Sequence, residues 1–296
     1  MASRPAPGPA GAIAPGAEAI PNRVLLGDCL EVVATLPDAS IDLVYLDPPF
    51  NTGSARRHAR IKTRASAAGS RKGFAGRTYE VTTGPERSYA DAFDDYIAWL
   101  EPRLAEARRV LNPEGSLYLH VDYREVHYCK VLLDGVFGRD CFINEVIWAY
   151  DYGGRGRRRW PAKHDNILFY ARDPRRYVFN IDEVERIPYM APGLVTPEKA
   201  ARGKLPTDTW WHTIVPTNGS ERTGYPTQKP LGILSRIVRA SSPPGGVVLD
   251  FFCGSGTTGV AAHQAGREFV LVDSSEEAIR VTRDRLDRMG IPYRSD

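Results

Sequence analysis

At 296 residues, 42% apolar and 25% charged, the chain can bury one large α/β core with a small appendage, and no apolar run approaches the length that spans a bilayer. A net charge of +3 is too small to name a partner. The four cysteines, Cys29, Cys129, Cys141 and Cys253, form no C-x-x-C pair, which argues against a disulfide frame or a zinc site and makes a reducing cytoplasm the expected location, with no membrane and no metal.

Residues 1–21 are mostly Ala, Pro and Gly with a lone Arg4, and are expected to form a disordered tail unlike a secretory signal. Val24-Leu25-Leu26 before Gly27-Asp28 predicts a short buried strand, and Cys29 to Leu36 has helical spacing until Pro37 stops it. The apolar run Ile41 to Leu46 predicts a second strand. It ends in Asp47-Pro48-Pro49-Phe50, a carboxylate followed by a rigid turn. Each proline fixes φ and lacks an N–H, so the turn presents carbonyl acceptors, while Asp47 adds a charged acceptor and Phe50 a stacking face. These groups suit a planar amino group such as the exocyclic amine of an extruded nucleobase. Alone, the same residues describe only a turn that ends a strand.

Ser54 to Thr78 holds no acidic residue and eight basic ones, among them Arg56, Arg57, Arg60 and Lys62, and is expected to open a basic loop over 54–88. Tyr89 to Phe93 leads into a long amphipathic helix through Trp99, Leu100, Leu104 and Val110, ended by Asn112-Pro113-Glu114-Gly115. Strand Ser116 to Val121, a helix around Val126 to Val136 and strand Phe142 to Trp148 continue the alternation, which predicts βαβ units and a mainly parallel sheet. From Asp151 to about Gly224 the pattern breaks, with only Asn166 to Ala171 reading as a strand, so this is the expected insertion. It opens on a second acid-free basic run with Arg155, Arg157, Arg158, Arg159 and Lys163. Trp210-Trp211-His212 reads as support for that segment or as core. Periodicity resumes with a helix over Gln228 to Ala240, a strand over Val247 to Asp250, a glycine turn, a helix to Ala265, a strand over Phe269 to Val272 and a last helix to Met289.

That glycine turn, Cys253-Gly254-Ser255-Gly256-Thr257-Thr258-Gly259, lies between strand and helix, with Asp273 at the end of the next strand. Glycines let the backbone approach a ligand and the later carboxylate accepts from ribose hydroxyls, so the spacing fits an adenosine-containing cofactor, either a nicotinamide dinucleotide or S-adenosylmethionine. A P-loop is excluded because no Gly-Lys-Ser/Thr follows. Position separates the two cofactors. A dinucleotide domain needs further βα units after the turn, whereas fewer than about forty residues remain. The missing strands lie upstream, as they would in a circularly permuted sheet that brings both turns to the carboxyl edges of adjacent strands.

With these motifs in place, the chain resembles the amino-methylating DNA methyltransferases of the permuted β group. The resemblance rests on Asp47-Pro48-Pro49-Phe50-Asn51-Thr52-Gly53, on Phe252-Cys253-Gly254-Ser255-Gly256-Thr257-Thr258 and on Tyr225-Pro226-Thr227-Gln228-Lys229-Pro230, in family order. It covers roughly Arg23 to Arg285 and includes Gly27-Asp28 and Lys163 to Tyr170. It implies a Rossmann-like α/β fold for S-adenosylmethionine-dependent methyl transfer: a mainly parallel twisted sheet with helices on both faces, circularly permuted, with a small inserted target-recognition segment. Residues 22–150 would form the catalytic half, 151–224 the recognition segment and 225–296 the cofactor half. Asp47, Pro48, Pro49 and Phe50 would be catalytic. Asp250, Phe251, Phe252, Cys253, Gly254, Ser255, Gly256 and Thr257 would wrap the cofactor, with Asp273 on its ribose, Asp28 near its adenine and Lys229 near its carboxylate.

Carbon-5 methylation of cytosine would need a nucleophilic cysteine, typically after proline, and none of the four cysteines follows one. Within the resembled family an aspartate at the first turn position goes more often with adenine and a serine with cytosine, so N6-adenine is the expected target and N4-cytosine the alternative. Double-stranded DNA is the expected partner, with Arg56, Arg57, Arg60, Lys62, Arg155, Arg157, Arg158, Arg159 and Lys163 on phosphates. Related enzymes are often dimeric, so a homodimer is an expectation carried by resemblance alone. Two further classes stay open: a nicotinamide oxidoreductase, and a DNA-binding module without activity.

Overall fold

The computed structural model describes residues 22–51, 93, 95–151, 153–154 and 156–295, together with the backbone of 56–65, 71–72 and 78–89. The expected disordered tail over 1–21, and Thr52, Gly53 and Arg155, lie outside the described residues. Chain order runs β1 (Arg23–Leu26), α1 (Cys29–Ala34), β2 (Ile41–Leu46), β3 (Arg56–Ala65), β4 (Arg71–Lys72), β5 (Thr78–Tyr89), α2 (Tyr96–Val110), β6 (Leu111–Val121) and α3 (Val126–Phe137). It continues with β7 (Phe142–Ala149), β8 (His164–Ala171), α4 (Pro197–Arg202), β9 (Thr209–Trp211), α5 (Leu231–Ser241), β10 (Val247–Asp250), α6 (Thr257–Gln264), β11 (Glu268–Asp273) and α7 (Glu276–Arg288).

Eight strands form the main sheet in the order β1-β11-β10-β2-β6-β8-β7-β9. Every pairing is parallel except those of β8 with β6 and β7. The sheet is therefore mainly parallel, with one reversed strand. Strands β2 and β10, about 200 residues apart in the chain, are direct neighbours, with Val248 opposite Leu43 and Leu249 opposite Val44. Asp42 locks the far end of this junction: its carboxylate accepts from Val247 N at 2.7 Å and from Asn112 Nδ2 at 2.8 Å.

Alternation along the strands makes two cores. Val44, Leu46, Leu117, Leu119, Leu249 and Val270 face α1, α2 and α3, whereas Leu43, Tyr45, Val248, Phe269 and Leu271 face α5, α6 and α7. A two-residue side-chain period buries both faces of a parallel sheet in this way. Helix starts follow local capping rules: Asp28, Asp95 and Ser275 each accept a backbone N–H of the first turn of α1, α2 and α7.

Three expectations change. The segment 54–88, read as a loop, contains β3, β4 and β5, which make a separate antiparallel sheet in the order β3-β5-β4. Its Thr and Arg residues carry no apolar period that would have announced strands. The helix into which Tyr89 to Phe93 was expected to lead begins at Tyr96 with Asp95 as its cap, and Tyr89 itself closes β5. Finally, two parts of the stretch from Asp151 to Gly224 join the main sheet. Strand β8 lies inside the main sheet between β6 and β7, and β9 extends its edge, with Ile147 opposite Thr209. Phe142 to Trp148 had suggested continued parallel order. It does run in the direction of β6, but the reversed β8 lies between them and pairs with both.

Candidate active site

The turn after β2 and the turn after β10 leave the sheet at the same edge, since their strands are parallel neighbours. One step beyond Leu46, alternation directs Asp47 toward the α5 side, and there Asp47 Oδ2 accepts a hydrogen bond from Lys229 Nζ at 2.5 Å. Both side chains are largely shielded, with exposures of 16% and 10%. The other carboxylate oxygen, Oδ1, is buried and has no hydrogen-bond partner among the described residues. The Lys229 ammonium also stands 4.9 Å from the Phe50 ring centroid. Asn51, at a left-handed φ of 51°, pins the turn: its Oδ1 accepts from Phe93 N at 3.1 Å and its Nδ2 donates to Glu125 Oε1 at 2.9 Å.

The glycine turn is held from below. Gly254 and Gly256 have φ of +50° and +71°; a Cβ on Gly256 would sit 2.7 Å from Thr282 Cγ2, and one on Gly254 would sit 3.1 Å from the Tyr225 ring. Asp250 accepts from Phe252 N at 3.0 Å and from Thr258 Oγ1 at 2.5 Å. Burial nevertheless pushes its carboxyl up to about 7, and the nearby Asp47 and Asp273 add to the shift. Asp273 accepts from Gly254 N and Ser275 N, each at 2.9 Å, and burial raises its carboxyl as well. Buried Arg285 donates to Thr257 Oγ1 at 2.8 Å, and that hydroxyl in turn donates to the Lys229 carbonyl at 3.2 Å.

Both turns line a single cavity of about 410 Å3. Asp47, Pro48, Pro49 and Phe50 stand on one side; Asp250, Phe252, Cys253, Gly254, Ser255, Thr257 and Asp273 on the other, with Lys229 between. Asp28, Phe251 and Gly256, also expected to hold the cofactor, are not among the residues that line this cavity. Asp28 caps α1 through Leu30 N and stands 3.6 Å from Arg103; Phe251 is buried in the core; Gly256 occupies the cap of α6. Lys229, expected near a cofactor carboxylate, lines the cavity and donates to the Asp47 carboxylate. Phe93, Trp99 and Tyr225 also line the cavity. Sequence reading gave them no role, since an aromatic at helical or loop spacing looks like core.

A larger cavity of about 1180 Å3 adjoins the first and shares Phe50, Lys229 and the segment 225–228 with it. On its floor runs a hydrogen-bonded chain that sequence reading missed. Tyr45 OH lies 2.7 Å from His120 Nδ1, His120 Nε2 lies 3.2 Å from Asp165 Oδ2, and Tyr150 OH donates to Asp165 Oδ1 at 3.2 Å. Burial pushes the Asp165 carboxyl up, but His120, Lys229 and Tyr150 outweigh it and hold the group below its ordinary value. The His120 ring lies 5.9 Å from Phe50, so the stacking face rests on this chain. Two of its members were within reach of spacing arguments: Tyr45 shares a strand face with Asp47, and Asp165 follows Lys163-His164. His120 was not, because only the pairing of β6 with β8 brings it beside Asp165.

Of the expected phosphate contacts, Arg157, Arg158 and Arg159 are exposed between β7 and β8, beside Trp160 at 95% exposure, and Lys163 is half-buried. Arg56, Arg57, Arg60 and Lys62 lie on β3, where the backbone alone is described. Trp210 is buried, with Arg236 4.8 Å over its ring, whereas Trp211 is exposed. No helix among the described residues is long and apolar enough to cross a membrane.

Comparison with known proteins places this geometry. A family model for N6/N4 DNA methylases matches residues 41–284. The DNA adenine methyltransferase YhdJ of Escherichia coli K12 is 30% identical over 274 residues, covering 90% of this chain and 83% of that protein. The type II methyltransferase M.HpaI of Haemophilus parainfluenzae is 28% identical over 266 residues, covering 90% and 74%. Among solved structures, the M1.HpyAVI–SAM complex matches with a TM-score of 0.57 at 20% identity, covering 90% of this chain and 99% of that one. The cytosine-N4-specific PvuII DNA methyltransferase matches with a TM-score of 0.61 at 15% identity, covering 89% and 86%. Both likenesses are of fold.

Proposed function

Because this chain belongs to the N6/N4 DNA methylase family, and is thus a DNA methyltransferase, we propose that it transfers a methyl group from S-adenosylmethionine to the N6 amine of adenine in duplex DNA. The observation that carries the reading is the bare, buried Asp47 Oδ1 in the same cavity as the glycine turn. A buried acceptor without a donor is costly, and an exocyclic amine supplies the missing N–H. The cavity's glycine wall also suits the cofactor, since a Cβ at Gly254 or Gly256 would fill space or displace Tyr225 or Thr282. Asp250, Cys253, Gly254, Ser255, Thr257 and Asp273 would hold it, with Phe252 and Trp99 as apolar walls. When bound, S-adenosylmethionine supplies an electrophilic methyl group on a sulfonium.

The protein's part is polarisation and placement. An aromatic amine is a poor nucleophile because its lone pair is delocalised into the ring. Accepting its two N–H bonds at Asp47 Oδ1 and the Pro48 carbonyl draws that pair back onto nitrogen. Pro48 and Pro49 have no N–H to compete and stiffen the turn. Phe50, braced by His120, stacks on the extruded base and offsets part of the few kcal/mol that unstacking costs. Transfer is then direct and in line, with no covalent enzyme intermediate. The amine's surplus proton leaves through Oδ1.

Adenine is preferred over cytosine on two grounds: an aspartate rather than a serine opens the turn, and the 30%-identical relative YhdJ is an adenine methyltransferase by name. Residues 151–163 and 172–224, which flank β8, form the target-recognition surface in this reading, with Arg157, Arg158 and Arg159 on phosphates. Labelled S-adenosylmethionine incubated with duplex DNA, followed by nucleoside chromatography, is the test. Label in N6-methyladenine is expected, and label in N4-methylcytosine would overturn the target. Calorimetry with S-adenosylmethionine and with NAD checks the cofactor; binding of NAD alone would reject the whole reading.

A further inference from the structure

Lys229 touches both halves of the site in different ways. Its backbone carbonyl accepts from Thr257 Oγ1 at 3.2 Å, and Thr257 is itself fixed by buried Arg285 at 2.8 Å, so the main chain is fastened to the glycine turn. Its ammonium reaches across the cavity to Asp47 Oδ2 at 2.5 Å and stands 4.9 Å from the Phe50 ring. Four carboxylates, Asp47, Asp250, Asp273 and Glu277, line this cavity, and Lys229 is the one lysine or arginine among its described lining residues. Resting on the methyl-transfer reading above, we infer that Lys229 is a positioning residue for Asp47 and not a ligand of the cofactor carboxylate.

The physical argument has two parts. A carboxylate at the end of a turn rotates about its own bond unless one oxygen is tied, and the Lys229 bond ties Oδ2, leaving the buried Oδ1 as the oxygen without a partner among the described residues. The ammonium also supplies counter-charge in a shielded site where Asp250 and Asp273 would otherwise repel an anionic Asp47. Because the Lys229 main chain hangs from Thr257, the orientation of the acceptor group is set by the turn that holds the methyl donor. Donor and acceptor are thus placed by one strut.

The two roles for Lys229 separate in a KM-against-rate experiment on the full chain. Lys229→Met and Lys229→Arg are compared with wild type by calorimetry with S-adenosylmethionine alone and by single-turnover methylation of duplex DNA at saturating cofactor. Lys229→Met is expected to slow the single-turnover rate about 100-fold, as misplacement by an ångström does. The cofactor Kd should stay within about threefold, which also shows that the variant is folded. Lys229→Arg keeps the charge with a different reach and should recover roughly tenfold of that loss. A cofactor Kd raised tenfold or more in Lys229→Met, with the saturated rate unchanged, would assign Lys229 to the cofactor and overturn the inference. So would wild-type rates in Lys229→Met. Calorimetry needs no turnover: a wild type inert on DNA would sink the methyl-transfer reading, while a raised cofactor Kd in either variant would still reject the positioning role.

Discussion

The two walls of the cavity are built differently. The glycine wall is local: Asp250 to Thr258 is one continuous stretch, and its hydrogen bonds to Asp250 come from residues two and eight positions away. The acceptor wall is assembled from distant parts. Asp47 is joined to Lys229 across 182 residues, Tyr45 to His120 across 75, and His120 to Asp165 across 45. A contiguous wall tolerates change at its far end, whereas an assembled one fails when any contributing strand shifts. Substitutions on the two walls should therefore separate cofactor binding from chemistry.

The sharpest separation is expected at Asp47. Asp47→Ala removes the charged acceptor and should lower methylation by 10³-fold or more, within the range of positioned proton acceptors, while the cofactor Kd from calorimetry stays near wild type. Loss of cofactor binding in that variant would mean the walls are not independent. Gly256→Val is the converse. Its side chain meets Thr282 and a φ of +71°, so the cofactor Kd should rise about tenfold or more and the Tm should fall.

A smaller effect is expected where DNA is held. Replacing Arg157, Arg158 and Arg159 by alanine should weaken DNA binding and reduce the slope of log K against log salt by about 2–3, with cofactor binding unchanged. An identical salt titration would take these residues out of the interface. The smallest effect concerns Asp250. Its folded-state carboxyl titrates at about 7, above the ordinary 3.8, so the native state holds a proton that the unfolded chain has lost across that window. Stability contributed by this group is full below the lower value and declines as pH rises toward 7. Asp250→Asn should flatten the loss, gaining roughly 1–3 kcal/mol relative to wild type between pH 5 and 8 in denaturant melts. A difference that does not change with pH would place the charge elsewhere.

The same contrast explains how far the sequence could be read. The strand–glycine turn–helix and the Asp-Pro-Pro-Phe turn are legible because the residues that matter are adjacent and their backbone needs are local. Parallel neighbours β2 and β10 were inferable from motif order, with the Asp-Pro-Pro-Phe turn before the glycine turn at a shared carboxyl edge. The reversed β8 was not: its apolar run is the same whether the strand points up or down, and direction comes only from its pairing with β6 and β7. Asp28 is ambiguous in the opposite way. An aspartate after a strand fits a ligand contact or a helix cap equally well, and Leu30 N claims it for the cap. His120 carries no local signal, and the Gln-Lys-Pro motif marks Lys229 without naming Asp47, since these partners arrive only when the sheet is complete.

A structure with S-adenosylmethionine bound tests the shared cavity directly. The account predicts the cofactor lying along Gly254 to Thr257 with its methyl group turned toward Asp47 Oδ1 and the Pro48 carbonyl. A methyl group turned away from Asp47, or a cofactor seated outside this cavity, would contradict it.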